Sequence, residues 1–135
     1  MVDDKGILQA VFAIACTLAT FMFGGWSMTL QVLVAFIAMD YLTGFGAAFV
    51  GKRLSSEEGS VGIAKKVGLM ALVALAHLLD KTFGLAAPVL MTATTYFLIG
   101  NEGLSILENL EEIGVKIPEP IKDALDKLKS GKVDR

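Results

Sequence analysis

Apolar positions in this chain come in long unbroken runs, and polar positions mark where the runs stop. No residue is charged from Gly6 to Met39, a stretch of 34 positions, and none is charged from Thr82 to Asn101. A hydrocarbon core about 30 Å thick takes about 20 apolar helical residues. At about 1.5 Å per residue the first run is too long for one crossing. It divides at Gly24-Gly25-Trp26-Ser27, because paired glycines weaken a helix and tryptophan favours the membrane–water interface. The pattern predicts a first span at 7–23 and a second at 28–50.

The stretch "GKRLSSEEGSVGIAKK", 51–66, mixes four bases, two acids, three serines and three glycines. It is expected to be a basic, water-exposed loop. The apolar run 67–79 is short, but it becomes a span over 63–80 if Lys65 and Lys66 snorkel to the surface. A fourth run, 85–100, carries Pro88 near its start, where the missing N–H has no helical partner to lose. Four short spans are expected, with three as the rival: 67–79 or 85–100 would then lie in the interface or re-enter.

Beyond residue 100 the pattern becomes helical. Ile99, Gly103, Ile106, Leu107, Leu110 and Ile113 fall on one face at spacings of three and four, and Asn101, Ser105, Glu108, Asn109 and Glu112 fall on another. This is an amphipathic continuation expected to leave the bilayer and to stop at Gly114. After "KIPEP", a last short amphipathic helix has Ile121, Leu125 and Leu128 as its apolar edge. The expected fold is thus an all-α integral membrane protein, with three to four short transmembrane helices in 1–100 and an amphipathic cytoplasmic helical tail in 101–135.

Composition strengthens this picture. The chain has 135 residues, 54% of them apolar, and its mean hydropathy is +0.63; soluble domains reach about 45–50% apolar only when glycine is counted. The net charge of −2 and the absence of bases interleaved with aromatics argue against nucleic acid. The single cysteine, Cys16, lies in the first apolar run and has no internal disulfide partner. Its stretch "FAIAC" resembles a lipoprotein cleavage site, but "MVDDK" is a poor signal-peptide start, so a buried apolar cysteine is expected. Basic residues decide orientation. Loop 51–66 holds Lys52, Arg53, Lys65 and Lys66, the tail after residue 101 holds six bases, and the turns at 24–27 and 80–84 hold none and one. With four spans, both termini and the loop 51–66 are expected in the cytoplasm.

Candidate chemistry centres on Asp40, the one charged residue between Met28 and Val50. A central acid costs about 2.5–3.5 kcal/mol on the insertion scale, against about 0.3–0.6 returned by each Leu, Ile, Phe or Val. Ten such residues in 28–50 still let the span insert, but the acid should face protein or water. Asp40, Thr43, Gly44, Ala47 and Gly51 lie on one small or polar strip. Two readings of Asp40, Thr43, Gly44 and Ala47 stand side by side: a helix-packing face, or a functional face that either lines water or makes a self-contact between copies. His77, Asp80 and Lys81, at i, i+3 and i+4, form a helix-end polar cluster expected to satisfy one another. One histidine and one acid are too few for zinc, which takes three or four protein ligands. No catalytic set, phosphate loop or paired-cysteine motif is visible, so no cofactor, metal site or enzyme activity is implied.

Three segments together resemble the phage lysis and toxin-secretion holin family. They are "MDYLTG" at 39–44, "GKRLSSEEGSVGIAKK" at 51–66, and "NEGLSILENLEEIGVKIPEPIKDALDKLK" at 101–129. The shared pattern falls on Asp40, Thr43 and Gly44; on Ser56, Gly59, Gly62, Lys65 and Lys66; on Asn101, Glu102, Ser105, Ile106, Glu108 and Asn109; and on Ile117 and Pro118. It covers about 25–130 and leaves the first span out. The resemblance implies a non-enzymatic protein that collects in the bacterial inner membrane. There it assembles as a homo-oligomer into large lesions, through which a cell-wall hydrolase (an endolysin) or a toxin leaves the cytoplasm. Two other classes fit the residues: a small channel or transporter with a defined pore, using Asp40 and His77, or a membrane adaptor that docks a partner through its helical tail.

Overall fold

The structure, a computed structural model, describes residues 3–131. Five helices follow in chain order: α1 Asp4–Phe23, α2 Met28–Val50, α3 Ser56–Thr82, α4 Val89–Ile113 and α5 Glu119–Ser130. Three of them, α1, α2 and α3, are long and apolar enough to cross a membrane. The apolar part of α4, 89–100, is too short to do so alone. The helix nevertheless continues without a break through its polar half to Ile113.

Local chemistry sets each boundary. The side chain of Asp3 accepts the Gly6 N–H at 2.8 Å and starts α1, which ends at Gly24 with φ of 73°. Ser27 caps α2 by accepting from the Leu30 N–H at 3.2 Å. Ser55 caps α3 by accepting from the Glu58 N–H at 3.1 Å, and Glu57 and Glu58 place negative charge in its first turn, where the helix dipole favours it. The loop expected over 51–66 is therefore only 51–55; residues 56–66 are the first turns of α3. The Ser-Ser-Glu-Glu sequence at 55–58 is a capping-box signature, and it outweighs the three glycines that suggested a loop.

The core lies where α2, α3 and α4 meet. Leu30 and Leu33 of α2, Val73 of α3, and Leu98 and Ile99 of α4 are buried together. α3 runs antiparallel to α2, and α4 returns parallel to it: Leu98 and Ile99 pack near Leu30 and Leu33, while Asn109 bonds to Asp40 and Thr43. The polar half of α4 therefore runs beside α2 instead of leaving its end, as the helical pattern alone had suggested. Gly114, with φ of 106°, reverses the chain, and α5 folds back along α4. A Cβ on Gly103 would stand 2.6 Å from a Leu125 methyl, and one on Gly100 would stand 2.7 Å from the Lys129 backbone nitrogen. The two glycines form the notch in which α5 lies, and Lys122 reaches Glu111 at 2.6 Å. The tail is helical and amphipathic as expected, but it is packed on the bundle's flank.

α1 stands apart. None of its residues is buried, and it meets α3 alone among the other helices, with Phe23 also reaching the core. Cys16 is exposed on this helix, where a buried cysteine had been expected.

Candidate functional site

The motif residues scattered along the sequence converge on one buried polar cluster between α2, α3 and α4. Lys66 of α3 is its centre. Its ammonium donates to Asp40 Oδ2 of α2 and to Glu102 Oε2 of α4. Asp40 is 7% exposed and Glu102 3%. Asn109 donates from Nδ2 to Asp40 Oδ1 at 3.0 Å and to Thr43 Oγ1 at 3.1 Å, with the Asp40 carbonyl at 3.2 Å. The Thr43 hydroxyl donates in turn to the Met39 carbonyl at 2.8 Å. Gly44 makes room for this network, since a Cβ there would meet Asn109 Nδ2 at 3.4 Å. Ala47 is buried one turn further along α2.

Charge counting gives this cluster its character. One ammonium serves two carboxylates, so with all three ionised the site carries a net charge of minus one (one cation minus two anions). Buried ion pairs repay the cost of desolvation only with near-complete hydrogen bonding, and here Asn109 supplies an additional bond to the Asp40 carboxylate while also donating to Thr43. The strip Asp40–Thr43–Gly44–Ala47 is thus filled by α4 of the same chain. Of the other motif residues, Ser105 lines the cleft next to the cluster, Asn101 is half-buried, and Glu108 is exposed.

Lys66 was expected to snorkel out of the bilayer with Lys65. Lys65 is exposed, whereas Lys66 turns inward. Spacing carries the signal: Lys66, Leu69, Met70, Val73, His77 and Asp80 share one face of α3, and most of that face is core. Glu102 likewise falls in register with Leu98, Ile99 and Ile106, all buried.

Two motif glycines have a separate role. A Cβ on Gly59 or Gly62 would stand 3.5 Å from the Tyr41 side chain, so the ring of α2 lies along the first turns of α3. Beside it, a cleft of about 760 Å³ opens between α2, α3 and the polar half of α4, with Asp40, Gly44, Ala48, Gly59, Lys66 and Ser105 among its lining residues.

His77, Asp80 and Lys81 do stand at a helix end, but each has its own partner. Asp80 receives the Leu90 N–H at 2.9 Å and the Met91 N–H at 2.8 Å, capping α4, whose own N-cap Pro88 offers no side-chain acceptor. Lys81 lies 5.2 Å from the centre of the Phe21 ring of α1, a cation–π contact. His77 packs against Gly24, where a Cβ would approach its Cε1 to 2.6 Å, and its Nε2 is buried without a hydrogen-bond partner among the described residues.

Comparisons with known proteins agree with the motif reading. Residues 17–130 match the model of the bacteriophage holin family. An uncharacterised 14.9 kDa protein in the nagH 3' region of Clostridium perfringens is 41% identical over 116 residues, covering 86% of this chain and 88% of the relative. The YqxH protein of Bacillus subtilis is 39% identical over 83% of this chain and 79% of its own length. A protein of Bacillus phage phi105 described as a probable holin is 39% identical over 75% of this chain and 74% of its own. No solved structure matches the chain. With three helices able to cross a bilayer and a family match over most of its length, this chain is a membrane protein that belongs to the bacteriophage holin family.

Proposed function

We propose that the protein oligomerises in the bacterial inner membrane and opens lesions through which a cell-wall hydrolase (an endolysin) or a toxin escapes, leading to host lysis. The observation that carries this reading is the Asp40–Lys66–Glu102–Asn109 cluster, assembled from the family-motif residues inside an otherwise apolar bundle. Ionisable groups at membrane depth face protein or water and mark polar pathways. The cluster stands beside a cleft, and the charged outer face of α5 lies on the opposite flank of α4. A bundle that is apolar around α1 and polar along the second half of α4 and along α5 can keep one side in lipid while the other meets water. Copies arranged in a ring then enclose that water with their polar flanks. The loop 51–55 and the N-terminus of α1 share one end of the bundle, which the basic residues assign to the cytoplasm.

The test uses purified protein in vesicles loaded with both a small ionic dye and a folded enzyme. Release of both supports the lesion. Release of the dye alone supports a defined-pore channel. Release of neither, with a soluble partner captured through residues 101–131, supports an adaptor.

A further inference from the structure

We infer that His77 is a proton-operated latch for α1: as a neutral imidazole it seats the α1–α2 turn on α3, and as an imidazolium it lets that turn go. The inference concerns the attachment of α1 and goes beyond the lesion reading, which it does not need.

α1 is fastened at one end. None of its residues is buried, and α3 is the one other helix it meets among the described residues. Two contacts at that end are specific. Lys81 of α3 lies over the Phe21 ring, and the His77 imidazole lies directly against Gly24. A Cβ on Gly24 would stand 2.6 Å from Cε1 and 3.2 Å from each ring nitrogen. Gly24 also ends α1 in the left-handed region, with φ of 73°. The residue that turns the chain is thus the one the ring rests on.

Histidine is a costly side chain for this seat. It is 8% exposed, and its Nε2 is buried with no hydrogen-bond partner among the described residues. Such an atom gives up its water and gains nothing in return. A phenylalanine would fill the same space without that loss. What phenylalanine lacks is a site for a proton, and histidine is the side chain that changes charge between about pH 5 and 8. Burying an unpaired charge costs far more than burying an unpaired neutral group, so the imidazolium and the docked turn oppose each other.

No neighbouring helix brings a counter-ion to the seat. On α1 the charged residue nearest in sequence is Lys5, about 28 Å along the helix from Gly24, and on α2 it is Asp40, about 20 Å beyond Ser27. On α4 the first is Glu102, and it and Asp40 are both bound to Lys66, about 16 Å from His77 along α3. Cys16 of α1 and Tyr96 of α4, which can also titrate, are exposed. On α3 itself, both Asp80 oxygens accept N–H groups of α4, and Lys81, at i+4, repels an imidazolium. His77 stands five residues before the end of α3, about 8 Å, so the water at that end is a near source of protons.

The test uses the full chain in lipid nanodiscs, in a Cys16→Ser background, with spin labels on Leu18→Cys of α1 and Leu75→Cys of α3, both exposed positions. Pulsed electron resonance reads the distance between them from about pH 8 to about pH 5. The expected result is loss of the short-distance population on acidification and its recovery on return to neutral pH. His77→Phe, which fills the seat, and His77→Gln, which cannot take up the proton, should each give a distance that acidification does not change. A short distance that persists at the acid end, or the same acid response in both variants, overturns the inference. So does a parallel lengthening between labels on Leu42→Cys and Leu75→Cys, which marks unfolding of the whole bundle instead of release of α1.

Discussion

Removing Lys66 and removing Glu102 are opposite operations on the same cluster. Lys66→Met leaves two buried carboxylates facing each other without a cation, whereas Glu102→Gln leaves a one-to-one pair of Lys66 with Asp40. Breaking a buried ion pair by deleting one partner costs about 3–5 kcal/mol, because the survivor is left charged and unpaired. Lys66→Met is therefore expected to lower the unfolding midpoint in mild detergent sharply and Glu102→Gln much less. The triple variant Asp40→Asn, Lys66→Met, Glu102→Gln should recover part of the loss. Equal effects of the two single changes would show that the cluster is not organised around the ammonium. Gly24 gives a second residue-level case. Its φ of 73° costs an L-residue about 1–2 kcal/mol, and a Cβ would also collide with His77. Gly24→Ala should detach α1, read as increased protease or label access near Phe23 with α2–α4 unchanged. Lys122 differs because it is exposed. Its hydrogen bond and attraction to Glu111 hold its ammonium above the ordinary lysine range. A raised lysine pKa contributes stability that is complete below the unfolded value and fades as pH climbs through the folded one. The link to Glu111 should thus be unaffected by Lys122 titration near neutrality, and Lys122→Gln should have a small, salt-sensitive effect.

At the scale of elements, the attachment of α5 depends on Gly100 more than on Gly103. At Gly103 an added Cβ meets the flexible end of Leu125; at Gly100 it meets the backbone of Lys129, which cannot move without moving the helix. Gly100→Leu is expected to lift α5 off α4, exposing the linker 114–118 to protease, while Gly103→Ala should be partly absorbed by a Leu125 rotamer change. Equal protection in both variants would contradict the notch. How much of this was legible beforehand differs by element. α1 and α2 follow from their charge-free runs, and the predicted spans 7–23 and 28–50 sit inside or on the helices observed. The start of α3 was written in Ser55–Glu58, but the glycines and charges around it pointed to a loop. Their reason is tertiary: Gly59 and Gly62 admit the Tyr41 ring, which nothing local announces. The cap of α4 was equally hidden, since its acceptor, Asp80, lies on the preceding helix. Asp40 stands out in the sequence as the one charge between Met28 and Val50. Its partners Lys66 and Glu102 lay on readable helical faces, but pairing three helices in register is information that no single periodicity contains.

For the whole molecule, the decisive feature is that the polar half of α4 and all of α5 run beside α2 rather than beyond it. Asn109 is held at the level of Asp40 and Thr43, a Cβ on Gly46 would meet the Ile113 methyl at 3.3 Å, and the Lys129 backbone lies against Gly100. A bundle immersed in lipid on all sides would bring Asp123, Asp126, Lys127 and Lys129 to membrane depth, and charges there are costly unless they meet water or protein. The fold is therefore suited to a molecule with two environments: lipid around α1 and the outer faces of α2 and α3, water along α5. This leads to a test with two parts. Labelling of single cysteines in a Cys16→Ser background should place Ala86→Cys on the outer side and Glu57→Cys on the cytoplasmic side, since the turns 24–27 and 83–88 lie at the opposite end from loop 51–55. Replacing Asp123, Asp126 and Lys129 together by leucine should leave this labelling and membrane insertion intact, because no buried contact of α5 involves those side chains. It should nevertheless delay or abolish enzyme release, since an apolar flank no longer favours enclosed water over lipid. Release at the unaltered rate, at equal membrane abundance, would show that α5 does not face the opening and that the water boundary lies elsewhere on the bundle.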